Sequence, residues 1–444
     1  MKKQFCLILF VGTVAAFGQK PTFTKDVAPI LQKRCQECHR PGEIGPFPLL
    51  TYQQTRPWAA AIKAAVLKKS MPPWHADPHI GKFSNDRSLA QREIDTISAW
   101  VSAGSPEGNP TDMPAPIAFT EGWGIPKPDV IFQLPEPFQI PATGTVEYLH
   151  WLVPTNFKED KWVQFAEARP GDRTRVHHII AYVREPGSKW MEGIQQGIPF
   201  IPPKPDPNDK ADTSALPSDF LVGYAPGQPP EMFEPGVAKL VKAGSDIILQ
   251  VHYTTDGKAS SDMTRVGLVF AKEPPARRVM TFSATNGTFK IPPGEGNQRV
   301  DATFELGADV VLHGLHPHMH ARGKDFIYHV RFPDGRRQTL LSVPRYSFAW
   351  QLWYNLDKPL ALPKGTVFEC TAHFDNSVNN KFNPDPTKEV RWGDQSWDEM
   401  MVGFFNLIFD AKMDEKKVQA PAKKAGNARD GAQEVAADGG ANGQ

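Results

Sequence analysis

The chain has 444 residues, enough for about two to four domains of ordinary size. Its 50 Lys and Arg residues balance 49 Asp and Glu residues, so it carries no basic excess that would neutralise the phosphates of a nucleic acid. The 43 prolines and 35 glycines favour turns and short strands over long helices.

The N-terminal segment is typical of an export signal. Two lysines precede an apolar stretch from Phe5 to Phe17, and small residues stand close before Gln19. This pattern predicts a cleaved signal peptide over residues 1–18 and a secreted or periplasmic protein. The apolar stretch is shorter than the roughly 20 residues that a membrane span requires, so no membrane span is expected.

Residues 19–105 combine helical patterns with one chemical motif. Cys35, Cys38 and His39 form a C-x-x-C-H sequence, in which two thiols can bond to the vinyl groups of haem and the histidine can bind its iron. A thioredoxin-type redox pair would usually follow a strand, whereas a helical pattern precedes this motif. A zinc site would need further cysteines or histidines at matching spacing. The motif therefore predicts one covalently attached haem.

The last helix of this region is predicted to end at Gly104. Ser88 and Gln91 have the spacing of a capping box, and Ile94 and Ile97 lie on one face of the helix that follows. Glycine commonly follows the last residue of a helix. The sequence therefore predicts a small all-α domain ahead of the rest of the chain.

The composition and the hydrophobic pattern of the sequence change after this domain. Residues 106–128 are rich in proline and predict a semi-rigid linker. Short apolar runs separated by turn residues follow, which is typical of antiparallel β-sandwich or jelly-roll domains. Because this part is too long for one small sandwich, we expect two, over residues 129–272 and 273–411. The composition of residues 412–444 predicts a disordered tail.

Histidines cluster within the predicted β-sandwiches. His177 and His178 are adjacent, and in a regular strand they would face opposite ways. Both can reach one metal ion only at a bend or a strand end. His252, at the end of an apolar strand, offers a third imidazole.

A second cluster follows further along the chain. His316, His318 and His320 share one face of a predicted strand, which is a natural arrangement for binding a metal ion. Imidazole and thioether ligands together suit copper in both of its common oxidation states.

Five segments occur in the order and approximate spacing of a known family. They are His177-His178, Gln250-Val251-His252-Tyr253, the segment from His318 to Lys324, Glu369-Cys370-Thr371 and Asp398-Glu399-Met400. Together they make residues 129–410 resemble the copper type II, ascorbate-dependent monooxygenases, whose animal members are the peptidylglycine α-hydroxylating and dopamine β-monooxygenases. That family consists of two antiparallel β-sandwich domains, which agrees with the strand-and-turn pattern.

The resemblance implies two copper ions with different ligands. The implied ligands are His177, His178 and His252 for an electron-transfer copper, and His318, His320 and Met400 for an oxygen-binding copper. Met401 is the nearest competitor for Met400. Peptide-amidating members bind a substrate carboxylate at positions that are His316 and Phe404 here, so a peptide ending in glycine is not expected as the substrate.

The N-terminal region resembles a class I cytochrome c domain over about residues 22–105. This resemblance implies a second axial haem ligand from a later loop, and Met71 stands where the family's methionine does. His75 and His79 remain alternatives. Such a domain suggests an electron source other than ascorbate.

The two resemblances together imply an exported haem- and copper-containing monooxygenase. It would hydroxylate a C–H bond of an unknown small organic substrate with O2, using electrons relayed through the fused cytochrome. Ascorbate or another reductant, and a redox partner protein, would supply those electrons. The alternative is a haem–copper electron-transfer or copper-binding protein without oxygenase activity.

Overall fold

The computed structural model of the chain describes residues 20–119, 122–202 and 219–421. The predicted signal peptide, residues 1–18, lies outside these ranges. Within them, a short helical N-terminal region precedes a larger part that consists of β-sandwich sheets. No helix in the described residues is long and apolar enough to cross a membrane.

Short helices form the N-terminal region, as predicted. They are a π-helical turn at Phe23–Val27, α1 at Ala28–Arg34, α2 at Tyr52–Thr55, a 3-10 helix at Arg56–Trp58, α3 at Ala59–Leu67 and α4 at Gln91–Ser102. Their apolar faces share one core, in which Val27, Leu31, Ile97 and Trp100 are completely excluded from solvent.

Helix α4 ends as predicted but begins differently. Gly104 follows it with a φ of 88°, a left-handed conformation that glycine adopts without strain. The predicted cap at Ser88 is wrong, because the Ser88 N–H donates to Oδ1 of Asp86 (2.7 Å) in a turn before the helix. The helix instead starts after Ala90, whose N–H donates to the carboxylate of Glu93 (2.7 Å).

The described residues of the first β-sandwich form eleven strands. They are β1 (Val130–Gln133), β2 (Phe138–Ile140), β3 (Leu149–Pro154), β4 (Lys161–Arg169), β5 (Val176–Arg184), β6 (Asp219–Tyr224), β7 (Glu231–Met232), β8 (Val237–Val241), β9 (Asp246–Tyr253), β10 (Ser260–Asp262) and β11 (Arg265–Phe270). One layer has the strand order β3-β9-β5-β6, and it packs against β1, β11, β4 and β8. Alternate side chains of both layers, among them Ile179, Val251 and Leu268, form the first core between them.

The second β-sandwich contains the remaining strands. They are β12 (Arg277–Thr285), β13 (Lys290–Ile291), β14 (Gln298–Glu305), β15 (Val310–His318), β16 (Gly323–Arg331), β17 (Arg337–Val343), β18 (Tyr354–Leu362), β19 (Val367–Phe374), β20 (Val390–Arg391) and β21 (Val402–Asp410). Its layers have the orders β14-β19-β16-β17 and β12-β21-β15-β18. Leu315, Tyr328 and Phe405 lie in the second core, between these layers.

One sheet runs through both sandwiches. Strands β8 and β12 pair in parallel, Arg277 with Val237 and Arg278 with Ala238, which joins two layers into a 9-stranded sheet. The side of β6 turned away from the first core meets the side of β21 turned away from the second core. At this seam the ring of Phe220 is 6.1 Å from that of Phe404. The seam is therefore the contact between the outer faces of the two sandwiches.

Residues 74–86 anchor the helical region on the second sandwich. Trp74 lies within the second core, with its ring 4.8 Å from the ring of Tyr354. Phe83 pairs with Leu356 in an antiparallel bridge at the edge of β18. These contacts fix the helical region relative to the second sandwich.

The proline-rich segment 106–128 is packed against the helical region over its described residues. It contains a 3-10 helix at Pro110–Asp112, and Met113 contacts the helical core. The guanidinium of Arg40 lies 4.0 Å from the ring centre of Phe119. The prediction of a free, semi-rigid spacer is therefore corrected to a packed connection.

The folded chain continues beyond the predicted end of the second sandwich. Val418 is completely buried in the second core, and the carboxylate of Glu415 pairs with Arg278 (3.0 Å). The predicted disorder of residues 412–444 is therefore wrong for residues 412–421. The remainder of that segment lies outside the described residues.

Replacing Trp74 with alanine should destabilise the second sandwich although Trp74 belongs to the helical region. The truncation leaves a cavity in a closed core and should cost about 3–5 kcal/mol of unfolding free energy. Urea denaturation measures the loss. Phe382→Ala is the control, because Phe382 is 81% exposed and its removal should change stability by less than about 0.5 kcal/mol. Equal effects of the two variants would contradict the anchoring role of Trp74.

Candidate metal centres

A β-bulge turns two adjacent histidines toward the same side. In β5, Val176 and Ile179 both belong to the first core, although regular alternation would place them on opposite faces. The pairing of β5 with β9 shifts register between Val176 and His178. The extra residue in the bulge lets both His177 and His178 leave the core. This is the bend that the sequence required for both to reach one metal ion.

His252 completes a group of three, the histidine triad. It pairs with His178 across β5 and β9. The Nδ1 atom of His177 is 3.3 Å from Nδ1 of His178 and 3.3 Å from Nδ1 of His252. One ring nitrogen of each histidine lies within 4.8 Å of the others. Ligands about 2.0–2.1 Å from a tetrahedral metal ion are roughly 3.3–3.5 Å apart, so the triad has the spacing of a metal site.

Burial keeps the three imidazoles of the triad neutral. It lowers the pKa of His177 to about 4. It also lowers the pKa values of His178 and His252 well below their usual range, and the neighbouring imidazoles add to this effect. A neutral imidazole presents a free lone pair, so protons do not compete with a metal ion near neutral pH.

In the second histidine pair, His318 and His320, the Nδ1 atom of each ring is hydrogen-bonded. Nδ1 of His318 donates to Oε1 of Gln351 (2.7 Å), and Nδ1 of His320 donates to the carbonyl of Asp398 (3.2 Å). These bonds occupy Nδ1 of each ring, so Nε2 is the atom that could bind a metal ion, and Nε2 of His320 is buried without a hydrogen-bond partner among the described residues. Burial lowers the pKa of His318 to about 4 and that of His320 to about 3. Such bonds orient metal-binding imidazoles.

A buried carboxylate fixes the backbone beside this pair. Glu399 is completely buried, and its oxygens accept hydrogen bonds from the N–H groups of His320 (2.8 Å) and Arg322 (2.6 Å). Burial raises the pKa of Glu399 to about 8, while the two backbone N–H groups act in the opposite direction. Glu399 thus connects the segment that carries Met400, just before β21, with the turn that carries His320.

The register of β15 and β21 distinguishes the two candidate methionines. The pairing ends with His318 opposite Val402, and Met400 stands two places before Val402, so strand alternation gives it the face of Val402 and His318. Met401 is completely buried in the second core and is therefore turned away from the histidines. The register favours Met400 over Met401 as the thioether ligand.

His316 shares the face of His318 but has aromatic neighbours. Its ring is 5.0 Å from that of Trp353 and 5.8 Å from that of Phe404. Burial lowers the pKa of His316 to about 3, so the ring carries no positive charge at neutral pH. An uncharged imidazole and a phenyl ring offer no positive charge to a carboxylate.

Two aromatic rings separate the triad from the second histidine pair. The ring centre of Tyr148 is 4.3 Å from that of His252 and 6.2 Å from that of His320. The ring of Phe348 is 5.3 Å from His177 and 5.8 Å from His320. The two sets of imidazoles therefore face one another across a single aromatic layer at the seam.

The C-x-x-C-H motif presents two free thiols beside a histidine whose Nδ1 atom is held by the backbone. Cys35 and Cys38 are free, half-buried thiols. Nδ1 of His39 lies 3.0 Å from the carbonyl of Phe47, which leaves Nε2 available as an axial ligand. A Cβ at Gly45 would come within 2.6 Å of the Cys38 carbonyl and 2.9 Å of the His39 ring, so the chain closes tightly around the motif.

The three candidates for the second axial haem ligand lie in one loop. Met71 is half-buried, close before Trp74, and His79 is exposed. His75 has a buried Nε2 atom without a hydrogen-bond partner among the described residues, and burial lowers its pKa. Met71 stays the predicted ligand, because its thioether suits an electron-transfer haem.

Comparisons with known proteins do not assign this chain to a family. No family model matches the sequence, and no curated protein matches it. Among solved structures, the VP2 subviral particle of infectious bursal disease virus is 9% identical, with a TM-score of 0.19 over 64% of this chain and 73% of that one. The PNGF-II structure is 12% identical, with a TM-score of 0.24 over 63% of this chain and 60% of that one. Scores this low carry no conclusion about function.

Sequence reasoning missed the residues that surround the ligands. Gln351, Tyr148 and Phe348 are remote from the histidines along the chain, and no spacing pattern connects them. Glu399 stands next to Met400 in a segment that the sequence analysis singled out, but nothing in the sequence indicated that its carboxylate would bind the backbone at His320.

Replacing His252 with alanine should remove one copper ion per chain, because the triad then offers too few nitrogen ligands. Copper content after loading and dialysis, measured by mass spectrometry, gives the result. His329→Gln is the matched control: His329 lies on β16, away from both sets of imidazoles, and copper content should not change. Unchanged copper in His252→Ala would rule out the triad as a copper site.

Replacing Gln351 with leucine should weaken copper binding at His318 and His320 by about 10–100-fold, because the His318 ring loses the bond that orients it. Competition with a chromophoric chelator measures this affinity. Gln351→Glu retains an acceptor oxygen and should restore most of the affinity. The control is Gln338→Leu, at an exposed position of β17. Equal copper affinities in Gln351→Leu and Gln338→Leu would contradict the role of Gln351 in orienting the His318 ring.

Proposed function

We propose that this chain is an exported haem- and copper-containing monooxygenase. It hydroxylates a C–H bond of a small organic substrate with O2: one oxygen atom enters the substrate, the other leaves as water, and two electrons and two protons are consumed. The observation that carries the proposal is the meeting of two sets of neutral, buried imidazoles, with ring nitrogens free for a metal ion, across one aromatic layer.

The chain's own residues define two different sites. Three imidazoles without a thioether, His177, His178 and His252, suit a copper that stores and passes one electron. His318 and His320 with Met400 form the softer set, and copper bound there would supply O2 chemistry. Gln351, the Asp398 carbonyl and Glu399 orient the second set, while Tyr148 and Phe348 keep water from the space between the sets.

Electrons reach the β-sandwiches through the helical region in this proposal. Cys35 and Cys38 would hold a haem covalently, and His39 and Met71 would bind its iron, as in the class I cytochromes c that the region resembles. A haem held there would accept electrons from ascorbate or another reductant, or from a redox partner protein. The packing of the helical region on the second sandwich, through Trp74, supports a permanent electron donor rather than a separate carrier.

A second function has one observation in its favour. His318 is 8% exposed and His320 is 1% exposed, so the rings that would activate O2 are enclosed. An electron-transfer or copper-binding protein without oxygenase activity needs no access for an organic substrate. In the monooxygenase, by contrast, the seam must open for the substrate to enter.

Substrate-dependent O2 consumption separates the two functions. The reduced, haem- and copper-loaded chain should consume O2 faster in the presence of at least one member of a panel of small aromatic and aliphatic compounds, with formation of the hydroxylated product. Met400→Ile should lower this rate at least about 100-fold, since the thioether is lost, while copper at the triad is retained.

Met401→Leu is the matched control, because Met401 packs in the second core and should tolerate a substitution of similar volume. Full activity in Met400→Ile would refute the assignment of this ligand. An O2 uptake that no compound accelerates would leave the electron-transfer function in place of the monooxygenase.

A further inference from the structure

The haem-attachment motif lies directly against the first sandwich. Gly227 has a φ of 80°, and a Cβ there would collide with Nη1 of Arg87 and lie 3.7 Å from Sγ of Cys38. The turn formed by residues 225–228, here called the entry turn, is closed by a hydrogen bond from the Gln228 N–H to the Ala225 carbonyl (2.9 Å). The entry turn is therefore in van der Waals range of Cys38, and the end of the Arg87 side chain fills the remaining space beside Gly227.

An ion pair supports the same contact. Glu43, shortly after His39, binds Arg173 of the first sandwich with an oxygen–nitrogen distance of 2.6 Å, and its other oxygen binds Arg40 (3.0 Å). The two side chains that cross the interface, Glu43 and Arg173, are only 17% and 20% exposed. Arg173 stands just before β5, so this pair joins the haem motif to the strand that carries His177 and His178.

The entry turn leads into the triad through one strand pair. Tyr224, the last residue of β6, directly precedes the entry turn and is buried. Its ring lies 6.0 Å from the guanidinium of Arg173, and Tyr224 pairs with Ile179 of β5. Ile179 is the neighbour of His178. A tight contact, a turn and one β-sheet pairing therefore separate Cys38 from the triad.

We propose that Tyr224 and the entry turn are the electron-entry route from the haem at Cys38 to the copper of the triad. This inference rests on the proposed function. Along this route one electron would pass from a ferrous haem held by Cys35 and Cys38, leaving it ferric, to Cu(II) held by the triad, giving Cu(I), with no proton or atom transferred. Electron transfer through protein slows steeply with distance and with gaps in packing, so the Cys38–Gly227 contact limits the rate.

The test uses the full chain with haem attached and Cu(II) bound, under anaerobic conditions. A flash-reduced deazaflavin dye delivers less than one electron per chain, and the haem absorbance reports reoxidation by copper. Gly227→Ala should slow this first-order reaction at least tenfold, because the added methyl group displaces the Arg87 side chain and disturbs the packing of the entry turn against Cys38. The rate should be independent of protein concentration in the parent chain.

Gly236→Ala is the matched control. Gly236 has nearly the same backbone conformation, with a φ of 83°, but a Cβ there meets nothing within 4 Å. Both variants carry the same backbone strain, and only Gly227→Ala disturbs the contact. Arg173→Gln gives an independent perturbation, since it breaks the ion pair with Glu43 without altering the entry turn.

A second readout needs no copper. Hydrogen–deuterium exchange of the copper-free haem protein should be faster over residues 35–47 in Gly227→Ala and Arg173→Gln, but not in Gly236→Ala. Slowed electron transfer together with this loss of protection supports the route. Loosened docking with an unchanged transfer rate overturns it, as does a parent rate that rises with protein concentration. A chain that binds no haem or no triad copper, as shown by metal analysis, overturns the proposed function as well.

Discussion

The short parallel pairing of β8 with β12 decides how the two sandwiches face each other. Around it, buried polar groups hold the seam in one arrangement: Lys239, 1% exposed, donates to the carbonyl of Phe220 and to the hydroxyl of Thr281, whose N–H donates to Asp219 (3.0 Å). Removing one partner of such a buried charged network typically costs about 3–5 kcal/mol, since the other partners are left without compensation. Buried polar contacts therefore hold the two sandwiches in one arrangement at the seam, in addition to the apolar packing that closes it.

The candidate metal sites depend on that arrangement. The two sets of imidazoles belong to the outer faces of different sandwiches, and the seam buries them together behind Tyr148 and Phe348. Burial without a metal ion is unfavourable for groups that prefer to be hydrated, but it also keeps the rings neutral. The desolvation that makes burial of these imidazoles unfavourable therefore also leaves their ring nitrogen lone pairs free to bind a metal ion.

The helical region packs against both sandwiches and is not attached through a flexible linker alone. Its residues 74–86 enter the second sandwich, whereas Cys38 and Glu43 contact the first. A region held at both ends maintains one distance between its haem motif and the triad. This explains why the proline-rich segment 106–128 is packed: the contacts, and not the linker, determine where the helical region lies.

Features with a local cause followed from the sequence alone. The C-x-x-C-H motif, the helix end at Gly104 and the shared face of His316 and His318 depend on residues close together along the chain. Pairing partners decided the rest: β9 creates the bulge at His177, and β21 decides between the two adjacent methionines. The orienting role of Gln351, the packing of Trp74 and the folding of residues 412–421 likewise arise from surfaces distant in sequence. A local sequence pattern determines which side chains share one face of a strand or helix. Which residues those side chains contact is decided only when that face is buried against another element.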